Sequence, residues 1–103
     1  MKDIIAQALW DRRDRIRIMA EILEAAKESQ VKTRIMYRAN LSFNQVKEYL
    51  AFLTEMGLLR VKVKNGQKVY ETTVKGRVFL ENYWDMIGFL RGETCAEPQI
   101  LVR

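Results

Sequence analysis

Asn44, Gln45 and Lys47 fall within four consecutive positions near the middle of the chain. A carboxamide holds a donor and an acceptor side by side, the pair that matches the exposed edge of adenine, and a lysine ammonium donates to guanine or to phosphate. Glu48 is the awkward neighbour, because it repels phosphate unless it accepts from a cytosine amino group. Positive charge surrounds this group. Between Lys32 and Arg77 stand ten Lys/Arg and three acids, a net +7, while the rest of the chain nets −2. Such a cluster fits a polyanionic partner. A basic surface that serves only solubility explains the charge equally well.

Other chemistries lack their groups. The 103 residues contain no histidine and one cysteine, Cys95. An internal disulfide is therefore impossible, and a structural zinc site, which needs about four Cys/His ligands, is not expected. Histidine-based acid/base catalysis is excluded, and the carboxylates are scattered along helix faces that meet water. The chain is expected not to be an enzyme, and to use no metal or cofactor. No apolar run approaches the roughly 18 residues of a membrane span. No charged segment followed by an apolar one opens the chain, so a cytoplasmic protein is expected. About half the residues are apolar (49%), enough for one modest core.

The elements that position these side chains can be read in order. Residues 1–12 form an N-terminal extension carrying Ile4, Ile5, Leu9 and Trp10. Asp11 or Asp14 can cap a helix that runs to about Ser29, with Ile16, Met19, Ala20, Leu23 and Ala26 on one face. Ile18 and Ile22 fall off that stripe. Thr33 can cap a short helix over residues 34–39, and Asn40 suits the left-handed position after it. Ser42 with Gln45 three residues on is a capping box, opening a helix over residues 43–56 that Gly57 ends. Val46, Leu50 and Leu53 face the core, which leaves Asn44, Lys47, Glu48 and Ala51 outward, with Gln45 at the edge. Ser42 and Thr33, at helix starts, can cap the backbone or bind phosphate. Tyr37 and Tyr49 are expected in the core.

Residues 58–64 alternate, and Asn65-Gly66 is a strong hairpin signal. A two-residue turn sets Lys64 opposite Gln67, Lys62 opposite Val69 and Arg60 opposite Glu71, with Val61, Val63 and Tyr70 on the inner face. Thr72-Thr73 supplies a cap for a last helix over residues 74–90, whose main stripe is Phe79, Tyr83, Met86, Ile87 and Leu90. Val78, Leu80, Trp84 and Phe89 lie outside that stripe, and Gly88 interrupts the run. Residues 92–103 form a tail without periodicity.

Helix, short helix, tight joint, longer helix, basic hairpin, helix is the order of an α+β winged helix-turn-helix domain, here residues 13–91. In that arrangement the second helix of the pair enters the major groove and the hairpin, or wing, reaches the backbone or minor groove.

"KTRIMYRANLSFNQVKEYL", then "MGLL", a short wing and "TVKG", resembles the small archaeal winged-helix DNA-binding proteins. The resemblance runs from about Ile16 to Tyr83 and includes abundant crenarchaeal chromatin-type members. It implies groove reading by Asn44, Gln45, Lys47 and Glu48, and backbone contact by Lys62, Lys64, Asn65, Gly66 and Lys68. Thr33, Arg34, Arg38 and Ser42 complete the expected DNA-binding set. The resemblance also implies dimers, formed in similar members through a long C-terminal coiled coil. About fifteen residues between Gly76 and Gly92 cannot build one. Ile18, Ile22, Leu80 and Trp84, with the N-terminal segment, are the candidate dimerisation residues. Alternatively, the N-terminal segment and tail fold back and cover them within one chain.

Two classes of function follow. One is binding of double-stranded DNA as a dimeric, chromosome-associated transcription regulator. The other is a protein–protein interaction module without DNA contact, for which Glu48 and the surplus apolar residues speak. A ligand-sensing regulator has no visible ligand box; Trp10, Trp84 and the phenylalanines could line a pocket, but core packing is their commoner role.

Overall fold

The computed structural model describes residues 15–92. The expected caps Asp11 and Asp14, the apolar segment 1–10 and the tail beyond Gly92 lie outside these. Helix α1, Arg15–Ala25, continues as a 3-10 turn over Ala26–Glu28. It packs against the short helix that follows, the last helix and the returning strand of the hairpin. It is buried round most of its circumference: Ile18, Ala20, Ile22, Leu23 and Ala25 are all enclosed. Ile18 and Ile22, which fall off the expected stripe, form a second packing surface, and of the stripe itself only Ile16 departs. Ile16 is 47% exposed, whereas Ile18 and Ile22 are core residues. A central helix has partners on several sides, so a one-sided apolar pattern does not describe it.

Helix α2, Lys32–Arg38, begins two residues before the expected start. Its N-cap is Val31, which has no side-chain capping bond, and Thr33 sits exposed inside the helix rather than at its cap. The cause lies upstream. Gln30 exchanges both backbone hydrogen bonds with Tyr70 of the hairpin, at 2.9 and 2.8 Å. That bridge holds the chain extended, and the helix starts as soon as the chain leaves it.

The joint between α2 and helix α3, Phe43–Glu55, is closed by Asn40 in the left-handed region (φ 56°) and by Leu41 N–H donating to the Met36 carbonyl at 3.0 Å. Val46, Leu50 and Leu53 bury the inner face of α3, as expected. Gly57 (φ 81°) turns the chain out of it.

Strands β1, Leu59–Lys64, and β2, Gln67–Thr72, pair antiparallel in the expected register, Lys64 with Gln67, Lys62 with Val69 and Arg60 with Glu71. Asn65 and Gly66 both have positive φ, 53° and 76°, as a type I′ turn requires. The expected inner face needs correction. Leu59, Thr72 and the half-buried Tyr70 meet the core, while Val61 is open and Val63 near the tip is 72% exposed. A wing extends past the layer it springs from, so its tip has no packing partner. Val69, on the face assigned to solvent, is instead buried to 6%. It stands opposite Lys62 on the strand that packs against the 3-10 turn after α1.

Helix α4, Val74–Arg91, is capped by Thr73, whose hydroxyl accepts from Gly76 N–H at 3.1 Å and donates to the Gly57 carbonyl at 2.7 Å. Thr72 turns inward instead. Its buried hydroxyl donates to the Leu23 carbonyl at 2.6 Å, tying the wing root to α1. The helix runs through Gly88 without a break and ends at Gly92 (φ 72°). Gly76, Leu80 and Tyr83 face the core, with Phe79 and Ile87 beside them. The buried stripe is thus rotated from the expected one: Leu80 is 1% exposed, while Met86 and Leu90 lie open. No described helix is long and apolar enough to cross a membrane.

Candidate nucleic-acid interface

The start of α3 is held by a complete capping box. Gln45 N–H donates to Ser42 Oγ at 3.1 Å, and Ser42 N–H donates to Gln45 Oε1 at 2.9 Å. This bears on Gln45 as a base reader. Its acceptor oxygen already takes the Ser42 N–H, so a bidentate contact to adenine would have to share that oxygen with the cap. Ser42 likewise spends its hydroxyl oxygen on the helix, while remaining exposed. Asn44, Lys47, Glu48 and Ala51 stand together on the exposed outer face of α3. Glu48 and Gln45 also border a groove of about 540 Å³ between α1 and α3, which Arg15, Ile18, Tyr49 and Phe52 line. Arg15 thus brings a positive charge to the side on which Glu48 sits.

The ten central cations divide by what they touch. Lys75 Nζ donates to the Met56 carbonyl at 2.8 Å, at the negative end of α3, and Arg77 reaches the Lys27 carbonyl at 3.3 Å. Arg60 and Lys62 both meet Glu71 Oε1, at 3.5 and 3.0 Å. The Lys62 hydrogen bond is the largest influence on the Glu71 carboxyl and, with the charges of Lys62, Arg60 and Arg77, holds it below its ordinary range against the opposing effect of burial. Lys32, Arg34, Arg38, Lys47, Lys64 and Lys68 make no ion pair among the described residues. Within the wing, Lys64 shares the face of Arg60 and Lys62, whereas Lys68, paired with Val63, points to the other face. Arg38 lines a small polar cleft with Glu24 and Glu28, so acidic side chains are its neighbours. Thr33 and Arg34 are exposed on α2.

Two residues near this surface escaped sequence reasoning. Phe43, the first residue of α3, is 53% exposed, and the Lys32 and Lys47 ammonium groups lie 4.7 and 5.8 Å from its ring centroid. The Phe43–Lys47 spacing of four was legible; the contact with Lys32 crosses the joint and was not. Tyr37, expected in the core, is exposed, and Tyr49 packs partly buried against the core.

The dimerisation candidates separate. Ile18, Ile22 and Leu80 are enclosed within the single chain and offer no surface. Trp84 is half exposed, with its indole N–H donating to Glu24 at 3.3 Å and its ring edge-on to Tyr83. Besides Trp84, α4 leaves Val74, Val78, Met86, Phe89 and Leu90 open, and the helical repeat puts Met86, Phe89 and Leu90 on the flank opposite Trp84.

Fold and surface together define a winged helix-turn-helix domain. The chain belongs to the winged helix-turn-helix family, whose model matches residues 12–90. Among its relatives are two uncharacterised proteins of Methanocaldococcus jannaschii. One is 38% identical over 71 residues, 68% of this chain and 32% of the relative; the chain thus spans about a third of that protein's length. The other is 31% identical over 83 residues, 80% of this chain and 81% of the relative. Among solved structures, Sso10a-2, a DNA-binding protein from Sulfolobus solfataricus, is 29% identical with a TM-score of 0.71, covering 78% of this chain and 84% of that one. The transcription regulator MepR of Staphylococcus aureus, solved with DNA, matches at a TM-score of 0.59 and 14% identity, covering 91% and 73%. A MarR-family regulator from Silicibacter pomeroyi matches at 0.62 and 19%, covering 95% and 66%. The last two share the fold.

Proposed function

We propose that the chain binds double-stranded DNA as a homodimeric transcription regulator, with α3 in the major groove and the wing on the backbone. The observation that carries this reading is the outer face of α3. Asn44 and Lys47 stand open on it, directly after a tight joint, with Lys32 beside them and the wing lysines Lys64 and Lys68 unpaired. Phosphate contacts would position the domain, and Asn44 would contribute direct base contact. The description of Sso10a-2 as DNA-binding agrees with this, as does the DNA-bound MepR structure for the fold. Dimerisation is assigned to the open flank of α4 formed by Met86, Phe89 and Leu90, in place of the enclosed Ile18, Ile22 and Leu80. A two-fold dimer would require two half-sites in its target. Such a protein would work in the cytoplasm, on the chromosome.

The test is an anisotropy titration of a labelled duplex at low and moderate salt. Affinity should fall steeply as salt rises. The double variant Lys47→Glu/Lys62→Glu should abolish binding while leaving the fold intact. Absence of binding by the wild type even at low salt rejects the reading, and leaves the protein-interaction module as the alternative.

A further inference from the structure

The exposed ring at the start of α3 asks for an explanation that packing does not provide. Phe43 is 53% exposed although it occupies the first helical position, where a small polar residue would serve the helix as well. Two ammonium groups from different helices, Lys32 of α2 and Lys47 of α3, lie against the same ring at 4.7 and 5.8 Å from its centroid. Both favour this placement of the ring, because a cation is drawn to the face of an aromatic ring. The side chain also leans toward the helix N-terminus, as helical Cβ atoms do, and so projects past the end of α3.

Resting on the DNA-binding reading above, we infer that Phe43 contacts a thymine methyl group and gives the protein a preference for A·T base pairs. The major-groove edges of the four bases carry hydrogen-bonding groups, and thymine alone adds an apolar one, its C5 methyl. An apolar ring with two cations close to it suits that floor and its walls. The ring meets the methyl while Lys32 and Lys47 take phosphates on either side. Asn44, the next residue, supplies the carboxamide that matches adenine. Phe43 and Asn44 together would then read the two partners of A·T pairs, which neither lysine can distinguish.

The experiment compares two labelled duplexes of one A·T-rich sequence, the second with deoxyuridine replacing every thymidine. Charge and base pairing are kept, and only the methyl groups are lost. The wild type should bind the deoxyuridine duplex about fourfold more weakly for each methyl the ring covers. Phe43→Ala, whose circular dichroism spectrum checks the fold, should bind both duplexes alike and keep the wild-type salt dependence. Equal wild-type affinity for the two duplexes overturns the inference and leaves DNA binding standing. An equal loss in the wild type and in Phe43→Ala also overturns it, since the methyl groups would then act through DNA shape. If the wild type binds neither duplex at low salt, the DNA-binding reading fails, and this inference fails with it.

Discussion

Glu71 holds two wing cations that a duplex would have to win from it. Its Oε1 lies 3.0 Å from Lys62 Nζ and 3.5 Å from Arg60 Nε. Glu71→Gln removes the negative charge and leaves a side chain of the same shape. Each further phosphate neutralised steepens the plot of log affinity against log salt by about 0.9. Releasing both cations therefore steepens it by up to about 1.8, and releasing Lys62 alone by about half that. Between about 50 and 200 mM salt, each such cation adds roughly a 3.5-fold loss of affinity, so the variant's advantage should be greatest at low salt. Fluorescence anisotropy of a labelled duplex across a salt series measures this directly. An unchanged slope and affinity would refute the reasoning, because Lys62 and Arg60 would then not meet the backbone. A pH series carries the same logic. The Glu71 carboxyl is depressed, first by the Lys62 hydrogen bond and then by nearby positive charge. Its ion pairs are thus fully present above the ordinary glutamate range and are lost as pH falls through the lowered value. Across that acid window wild-type stability should fall with decreasing pH more than that of Glu71→Gln, as seen in thermal melts.

Gly76→Ala should destabilise the domain by about 1–3 kcal/mol in urea unfolding, because overpacking a tight contact forces displacement. A Cβ there would strike the Leu58 carbonyl oxygen and lie 2.6 Å from the Thr72 methyl. Ser42→Ala should cost about 1 kcal/mol by the same measurement, since it removes the hydroxyl that caps α3. Phe89→Glu, at a position 72% exposed, should convert a dimer to a monomer in light scattering with little change in thermal midpoint. A dimer that survives this substitution would move the interface away from that flank of α4.

Features that depend on neighbours a few positions away were legible in the chain. The capping box of Ser42 and Gln45, the left-handed Asn40, the end of α3 at Gly57 and the Asn65-Gly66 turn with its register all stand where the sequence placed them. Each is a short-range choice of φ and ψ or a hydrogen bond across three residues. The winged helix-turn-helix order, and the outward face of α3, follow from these signals together with the burial of Val46, Leu50 and Leu53. Thr33 shows where such reasoning ends. Its type suits a cap, but the bridge between Gln30 and Tyr70, far apart in the chain, moves the helix start ahead of it.

By itself, then, the sequence determined where elements begin and turn, which side of α3 carries Asn44 and Lys47, and that positive charge concentrates in the middle of the chain. Only the tertiary structure decided which apolar and charged groups remain available. It enclosed Ile18, Ile22 and Leu80, opened Met86 and Leu90, matched Arg60 and Lys62 to Glu71, and brought Lys32 to Phe43. The reason is physical. A backbone turn is governed by torsions within a few residues, whereas burial and ion pairing depend on surfaces supplied by distant segments, such as the Thr72 hydroxyl on the Leu23 carbonyl.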